Sequence, residues 1–167
     1  TLSRIQALGF KAEDVRHIVL THLDFDHAGG LTDFPHAQVH LMQPEIDTAR
    51  QRHSWLQRER YRPGQWSARS GWHGYAPQGE RWFGFEAVTA LHGLPPEILL
   101  VPLAGHTPGH AGVAIQRPEG WLLHGGGLGV FRAGRGRPER HRAPRLRFFQ
   151  WVVGMGKQAR RGNQQRP

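Results

Sequence analysis

Cysteine is absent from this 167-residue chain. That excludes a disulfide framework and any thiolate metal ligand, so a bound metal would have to be held by imidazole and carboxylate. No apolar run approaches the roughly 20 residues needed to cross a bilayer as a helix. The opening Thr1-Leu2-Ser3-Arg4-Ile5 lacks the basic-then-apolar layout of a secretory signal. A cytoplasmic protein with no membrane partner is therefore expected. There is no initiator Met and no internal repeat. The chain starts directly in a helical pattern, with Leu2, Ile5 and Leu8 followed by Gly9 as a stop, and reads as part of a longer protein. Acidic residues are scarce at one end only. Residues 1–131 hold 11 Lys and Arg against 12 Asp and Glu, whereas residues 132–167 hold 11 against one, so the net +9 is a body of −1 and a tail of +10.

What is present fits one globular domain with a real core. Eight Phe and six Trp supply apolar bulk, while 22 Gly and 12 Pro imply many turns. The body, residues 1–131, reads as that domain. Ile18-Val19-Leu20 is a short buried strand, and Ala28-Gly29-Gly30-Leu31 a close turn into a helix. Gln38–Met42 is a second strand, and Pro44 to Arg52 a helix with Pro in its first turn. Residues 53–86 lack periodicity and carry Trp55, Trp66, Trp72, Tyr75, Trp82 and Phe85; they read as a long loop or lid offering substrate contacts. Glu97 to Leu103 is another strand. Ala111 to Ile115 and Trp121 to Leu123 form a hairpin. The tail reads as a basic terminus with one helix carrying Leu146, Phe149, Val152 and Val153 on an apolar face. Solvation is the simpler account of its charge. Nucleic acid binding ranks below it, because no nucleic-acid module accompanies the basic residues.

The chemistry is concentrated in Thr21-His22-Leu23-Asp24-Phe25-Asp26-His27-Ala28-Gly29-Gly30, directly after a strand. Four potential ligands in six residues let one irregular loop present two ligand pairs. A second strand ends in Ala104-Gly105-His106-Thr107-Pro108-Gly109-His110, with His106 standing 79 residues beyond His27. His22, Asp24 and His106 would close a first metal site, and Asp26 with His27 would begin a second. Three protein ligands plus water is a catalytic arrangement, because an open position lets bound water ionise near neutral pH. His110 suits a supporting role, orienting His106 or shaping the turn. His124, beside a glycine run, is not assigned as a ligand.

At these residues the chain resembles the metallo-β-lactamase-fold hydrolases, whose signature is H-x-H-x-D-H after a strand and G-H-T-x-G-H at a later strand end. His22, Asp26 and His27 match the first motif; His106, Thr107, Gly109 and His110 match the second. Within that family the nearest look is to lactonase-like, quorum-quenching hydrolases. The resemblance implies an αββα sandwich, here truncated at both ends, with a zinc or other binuclear centre between the sheets. Three departures follow. Asp24 stands where the motif has a second His, which opens the site to iron or manganese beside zinc. The family's bridging Asp aligns with Gly127, and its final His has no counterpart, so a second ion would keep only Asp26 and His27.

The expected function is a metal-dependent hydrolase in which a metal-bound hydroxide attacks an ester, lactone or amide carbonyl of a small molecule. Asp26 would orient the nucleophile or take its proton, and His27 would help a second ion hold the oxyanion. The alternatives are a catalytically degenerate member that binds metal weakly, and a nucleic-acid-binding protein using the tail. Substrate and oligomeric state are not legible.

Overall fold

Two β-sheets face each other in the computed structural model of the chain, which describes residues 1–68, 70–87, 90–126, 130–133, 139–141 and 151–153. The first sheet contains β1 (His17–Val19), β2 (Gln38–Met42) and β3 (Trp72–Tyr75), all parallel. The second is antiparallel throughout and contains β6 (Ile98–Pro102), β7 (Ala111–Arg117), β8 (Gly120–His124), β9 (Val130–Ala133) and β10 (Glu139–His141). A small hairpin of β4 (Glu80–Trp82) and β5 (Phe85–Ala87) forms a separate two-stranded sheet. The last described strand, β11 (Trp151–Val153), adds antiparallel to β1.

Alternation along β2 shows why the parallel strands are buried on both sides. Val39 and Leu41 join Ile18 and Leu20 in a core with Leu23, Leu31, Phe34, Ile46 and Tyr61 on the helical side. Met42 turns the other way and joins Val19, Leu91, Ile98, Leu100, Ala111 and Val113 between the two sheets. A strand covered on both faces must be apolar nearly throughout, which is the pattern expected of parallel sheets. The outer face of the second sheet gathers Leu99, Val101 and Ala114 with Leu103, Trp121 and Leu123. Trp82 packs edge-on against Trp121 there, at 5.4 Å between ring centroids. Among the described residues the layers are therefore helices, sheet, sheet. This is the helix-covered half of the expected αββα sandwich together with both of its sheets.

The helices on the first sheet are α1 (Leu2–Ala7), α2 (Phe25–Ala28), α3 (Gln43–Gln51) and α4 (Trp55–Arg60). Helix α3 has Pro in its first turn and ends at Arg52 in a left-handed conformation, φ 44°. Its buried face is Glu45, Ile46 and Ala49, a helical spacing that places a carboxylate among apolar neighbours. Helix α4 starts with a capping box: Gln57 N–H donates to Ser54 Oγ and Ser54 N–H donates to Gln57 Oε1, each at 3.2 Å.

Three readings need correction. Residues 53–86 are not one loop: they contain α4, β3 and the β4–β5 hairpin, and β3 is a full member of the main sheet. Their weak periodicity reflects short elements that each bury little. The helix after Asp24 comes earlier than expected, over Phe25–Ala28. Val152 and Val153 lie in a strand rather than a helix, because pairing with β1 overrides local propensity; Leu146 and Phe149 lie outside the described residues, as does most of the basic tail.

Candidate metal centre

Strand β1 ends at Val19, and the chain leaves the sheet through buried Leu20 to Leu23 before turning into α2. Thr21 Oγ1 lies 2.9 Å from His22 Nδ1. With Nδ1–H donating to that hydroxyl, Nε2 presents its lone pair toward Asp24, whose Oδ2 is 3.6 Å away. Strand β6 ends in the second motif, which brings His106 Nε2 to 3.0 Å from the same Oδ2. One ligand atom from each of His22, Asp24 and His106 lies within 4.8 Å of the others. Among the described residues this is the one group of three with metal-holding geometry.

His22 is buried to 1 % exposure. Burial first, then His27, His110, His106 and Arg60, push its imidazole down to about 2. It is thus uncharged at any neutral pH, the form in which an imidazole binds a metal. Burial raises Asp24, while Arg60 and His106 oppose that shift. The donor set fits a borderline divalent cation: two imidazole nitrogens and a carboxylate oxygen, converging, with an open side.

Asp26 and His27 stand beside this trio rather than within it. The His27 ring lies 4.0 Å from that of His22, and its Nε2 is 4.0 Å from Asp26 Oδ2. Burial lowers His27, against the pull of Asp26. His110 does not hold His106. It closes the turn: Leu103 N–H donates to its carbonyl at 2.9 Å, and its Nδ1–H donates to the Leu103 carbonyl at 3.1 Å. Its Nε2 is left buried with no hydrogen-bond partner, edge-on to His22 at 5.0 Å between ring centroids.

Two contributors had no sequence signal. Glu45 is fully buried, and its carboxylate ties the two motifs together. Leu23 N–H donates to Oε1 at 2.9 Å, Thr107 Oγ1 donates to Oε2 at 2.6 Å, and Gly109 N–H donates to Oε2 at 3.2 Å. A side chain at Gly109 would run into the Glu45 backbone, which accounts for the glycine of the second motif. Arg60, at the end of α4, pairs with Asp24 and donates to the His106 carbonyl. His124, at the end of β8, is pushed down to about 4 by burial and by neighbouring His27 and His110.

The family resemblance sets the bridging carboxylate at Gly127, which lies outside the described residues. Gly126 is the residue seen against the site. A Cβ there would meet Thr21 Oγ1 at 3.0 Å and His110 Nε2 at 3.1 Å.

Two motifs, one from each sheet, thus converge on a histidine and carboxylate trio. The family described as the metallo-beta-lactamase superfamily matches residues 1–137. This chain belongs to that superfamily. A "probable metallo-hydrolase" of Mycobacterium tuberculosis is 45% identical over 123 residues, covering 74% of this chain and 40% of the relative. An N-acyl homoserine lactonase of Bacillus cereus is 24% identical over 119 residues, covering 71% and 40%. Among solved structures, an N-acyl homoserine lactone hydrolase with N-hexanoyl-L-homoserine bound at its catalytic metal centre superposes with TM-score 0.55 and 24% identity, over 73% of this chain and 42% of that one. A "probable metal-dependent hydrolase" from Staphylococcus aureus gives TM-score 0.59 at 19% identity, over 75% and 43%. These superpositions establish the fold. The chain spans about 40% of the length of the curated relatives it matches. Among the described residues no helix is long and apolar enough to cross a membrane.

Proposed function

We propose that this chain carries the metal site of a hydrolase acting on an ester, lactone or amide carbonyl of a small molecule. The observation that carries this reading is the convergence of His22, Asp24 and His106 from two strand ends. Those three residues would hold the ion. When bound, it supplies Lewis acidity and makes water a nucleophile near neutral pH. The remaining steps belong to the chain. Asp26, partly exposed on the open side, takes the proton of the attacking water. Phe25, Leu56, Arg60 and Arg62 wall a cleft of about 360 Å³ that begins at Asp24 and Asp26. Phe25 and Leu56 give the substrate an apolar surface there, and both are exposed large hydrophobic side chains.

Zinc is the expected ion, with iron or manganese admitted by the carboxylate of Asp24. A single ion is the expected stoichiometry. By the family resemblance the carboxylate that would bridge to a second ion falls at Gly127, which supplies none, and Asp26 with His27 alone make a weak site.

The test is metal content by elemental mass spectrometry, followed by turnover of p-nitrophenyl acetate and a simple lactone. One ion per chain, with turnover lost in His22→Ala and His106→Ala, is the expected result. Wild-type-like turnover in either variant removes the metal from the mechanism. A second reading, an inactive member that binds metal weakly, is favoured by Gly127; it predicts little or no bound metal and no turnover of either substrate.

A further inference from the structure

Asp24 gives its two carboxylate oxygens different surroundings. Oδ2 faces the imidazoles, 3.0 Å from His106 Nε2 and 3.6 Å from His22 Nε2. Oδ1 faces Arg60, whose Nε is 3.0 Å away. This second contact is an ion pair rather than a directed hydrogen bond, since Oδ1 is buried without a hydrogen-bond donor aimed at it. The same guanidinium also reaches the other motif, where Nη1 donates to the His106 carbonyl at 2.8 Å. One cation from α4 therefore touches two of the three candidate ligand residues, which come from different sheets.

An ionised carboxylate that is 10% exposed needs a compensating charge. Its two oxygens are also chemically equivalent, so either can swing toward a metal. Arg60 addresses both points. It occupies Oδ1 and so leaves Oδ2 as the oxygen turned toward His22 and His106. Its charge offsets that of Asp24, so the pair brings no net charge to the site, as a neutral imidazole would.

We infer that Arg60 is a positioning residue matched to Asp24, and that the two act as one unit equivalent to an imidazole ligand. The inference rests on the metal-site reading above. It is specific to the carboxylate: with an imidazole at position 24, Arg60 has nothing to orient.

The experiment is a double-mutant cycle read by cobalt(II) titration. The ligand-field absorption bands report coordination, and thermal unfolding of the metal-free proteins reports structure. The four proteins are wild type, Arg60→Gln, Asp24→His, and the double variant. In the Asp24 background, Arg60→Gln is expected to weaken cobalt binding by about 10- to 100-fold, the range for a partner that orients a ligand, and to shift the bands. In the Asp24→His background the same change is expected to leave affinity within about twofold. Equal loss in both backgrounds overturns the inference, because it would mean that Arg60 acts only by holding the His106 loop through its carbonyl. Unchanged affinity and bands in Arg60→Gln alone overturn it as well, even if Asp24→His does not fold. Arg60→Lys keeps the charge without the fork and is expected to fall between wild type and Arg60→Gln. If wild type takes up no cobalt, the metal-site reading falls and this inference with it; if wild type binds and the cycle is additive, only this inference falls.

Discussion

The chain holds two histidine clusters that flank β1, and they are built in opposite ways. The first lies beyond the C-terminal end of β1 and mixes imidazoles with carboxylates. The second starts at His17, the first residue of β1, and continues through His40 on β2 and His73 on β3, which are paired in register. The ring of His92 stacks on His73 at 4.6 Å, and that of His73 on His40 at 4.9 Å. Here both ring nitrogens of His40 are satisfied, by Tyr75 and by His17. Tyr75 Oη accepts from His92 N–H at 2.7 Å, which turns its own proton toward His40 Nδ1 at 2.8 Å. His40 Nε2–H then donates to His17 Nδ1 at 3.0 Å. His73 Nε2–H donates to Gln38 Oε1 at 2.8 Å. In the first cluster, by contrast, Asp24 Oδ2 faces two imidazoles at once and His110 Nε2 is buried without a partner. Histidine density does not mark a metal site. Imidazole and carboxylate ligand atoms that converge on one point do.

The sharpest way to break this comparison is to remove ligands from each cluster in turn. His22→Ala or His106→Ala is expected to lower cobalt(II) affinity by more than the roughly 100-fold that an orienting partner contributes, while His73→Ala leaves it unchanged in the same titration. Loss of affinity in His73→Ala would make the second cluster part of the site. Next in size is Glu45→Ala. It strands three donors from the two motif loops, at a cost of about 3 kcal/mol, read as a shift in the urea midpoint. A midpoint that does not move would mean that the loops are held apart from Glu45.

Acid acts on the second cluster through His40, by a smaller effect per pH unit. His40 is held down at about 3, chiefly by burial and then by His73, His17 and His92. In the unfolded chain it titrates near 6.5, so the unfolded state takes up its proton first as pH falls. Stability present above pH 6.5 is therefore lost progressively between 6.5 and about 3, at up to about 1.4 kcal/mol per pH unit for one proton. In metal-free protein, His40→Phe is expected to flatten that slope by up to one proton, measured by urea unfolding at a series of pH values. An unchanged slope would show that His40 does not titrate on unfolding. The smallest effect is reserved for Arg62→Ala. Its pair with Glu59 is 57% and 56% exposed, so the unfolding midpoint should move by less than about 0.5 kcal/mol.

Much of the fold could be read along the chain. Strand β2 lies at Gln38–Met42 as its apolar run predicts, α3 matches its proline-led pattern, and β7 and β8 pair across the turn at Pro118 and Glu119. The elements missed, α4 and β3, are short and carry little periodicity. The candidate site was legible where its residues sit in motifs: His22 and Asp24 in one, His106 and His110 in the other. Glu45, Arg60 and Gly126 were not. A lone acid or base on a helix is ordinarily a solvated surface group, and no local spacing distinguishes the exceptions.

Local chemistry on the chain was enough to name the ligand types, the absence of thiolate, and the strand ends that would carry the site, because those follow from residue identity and short-range pattern. Which nitrogens are left for a metal and which are consumed by neighbours was decided by tertiary structure alone. The sequence does not show which ring nitrogens of His40 and His110 find partners. One is closed by Tyr75 and His17, while the other keeps Nε2 open, because strand register and sheet stacking choose the neighbours of each ring. The same holds for Asp24. Its role depends on Arg60, 36 positions away in the chain but 3.0 Å away in the fold.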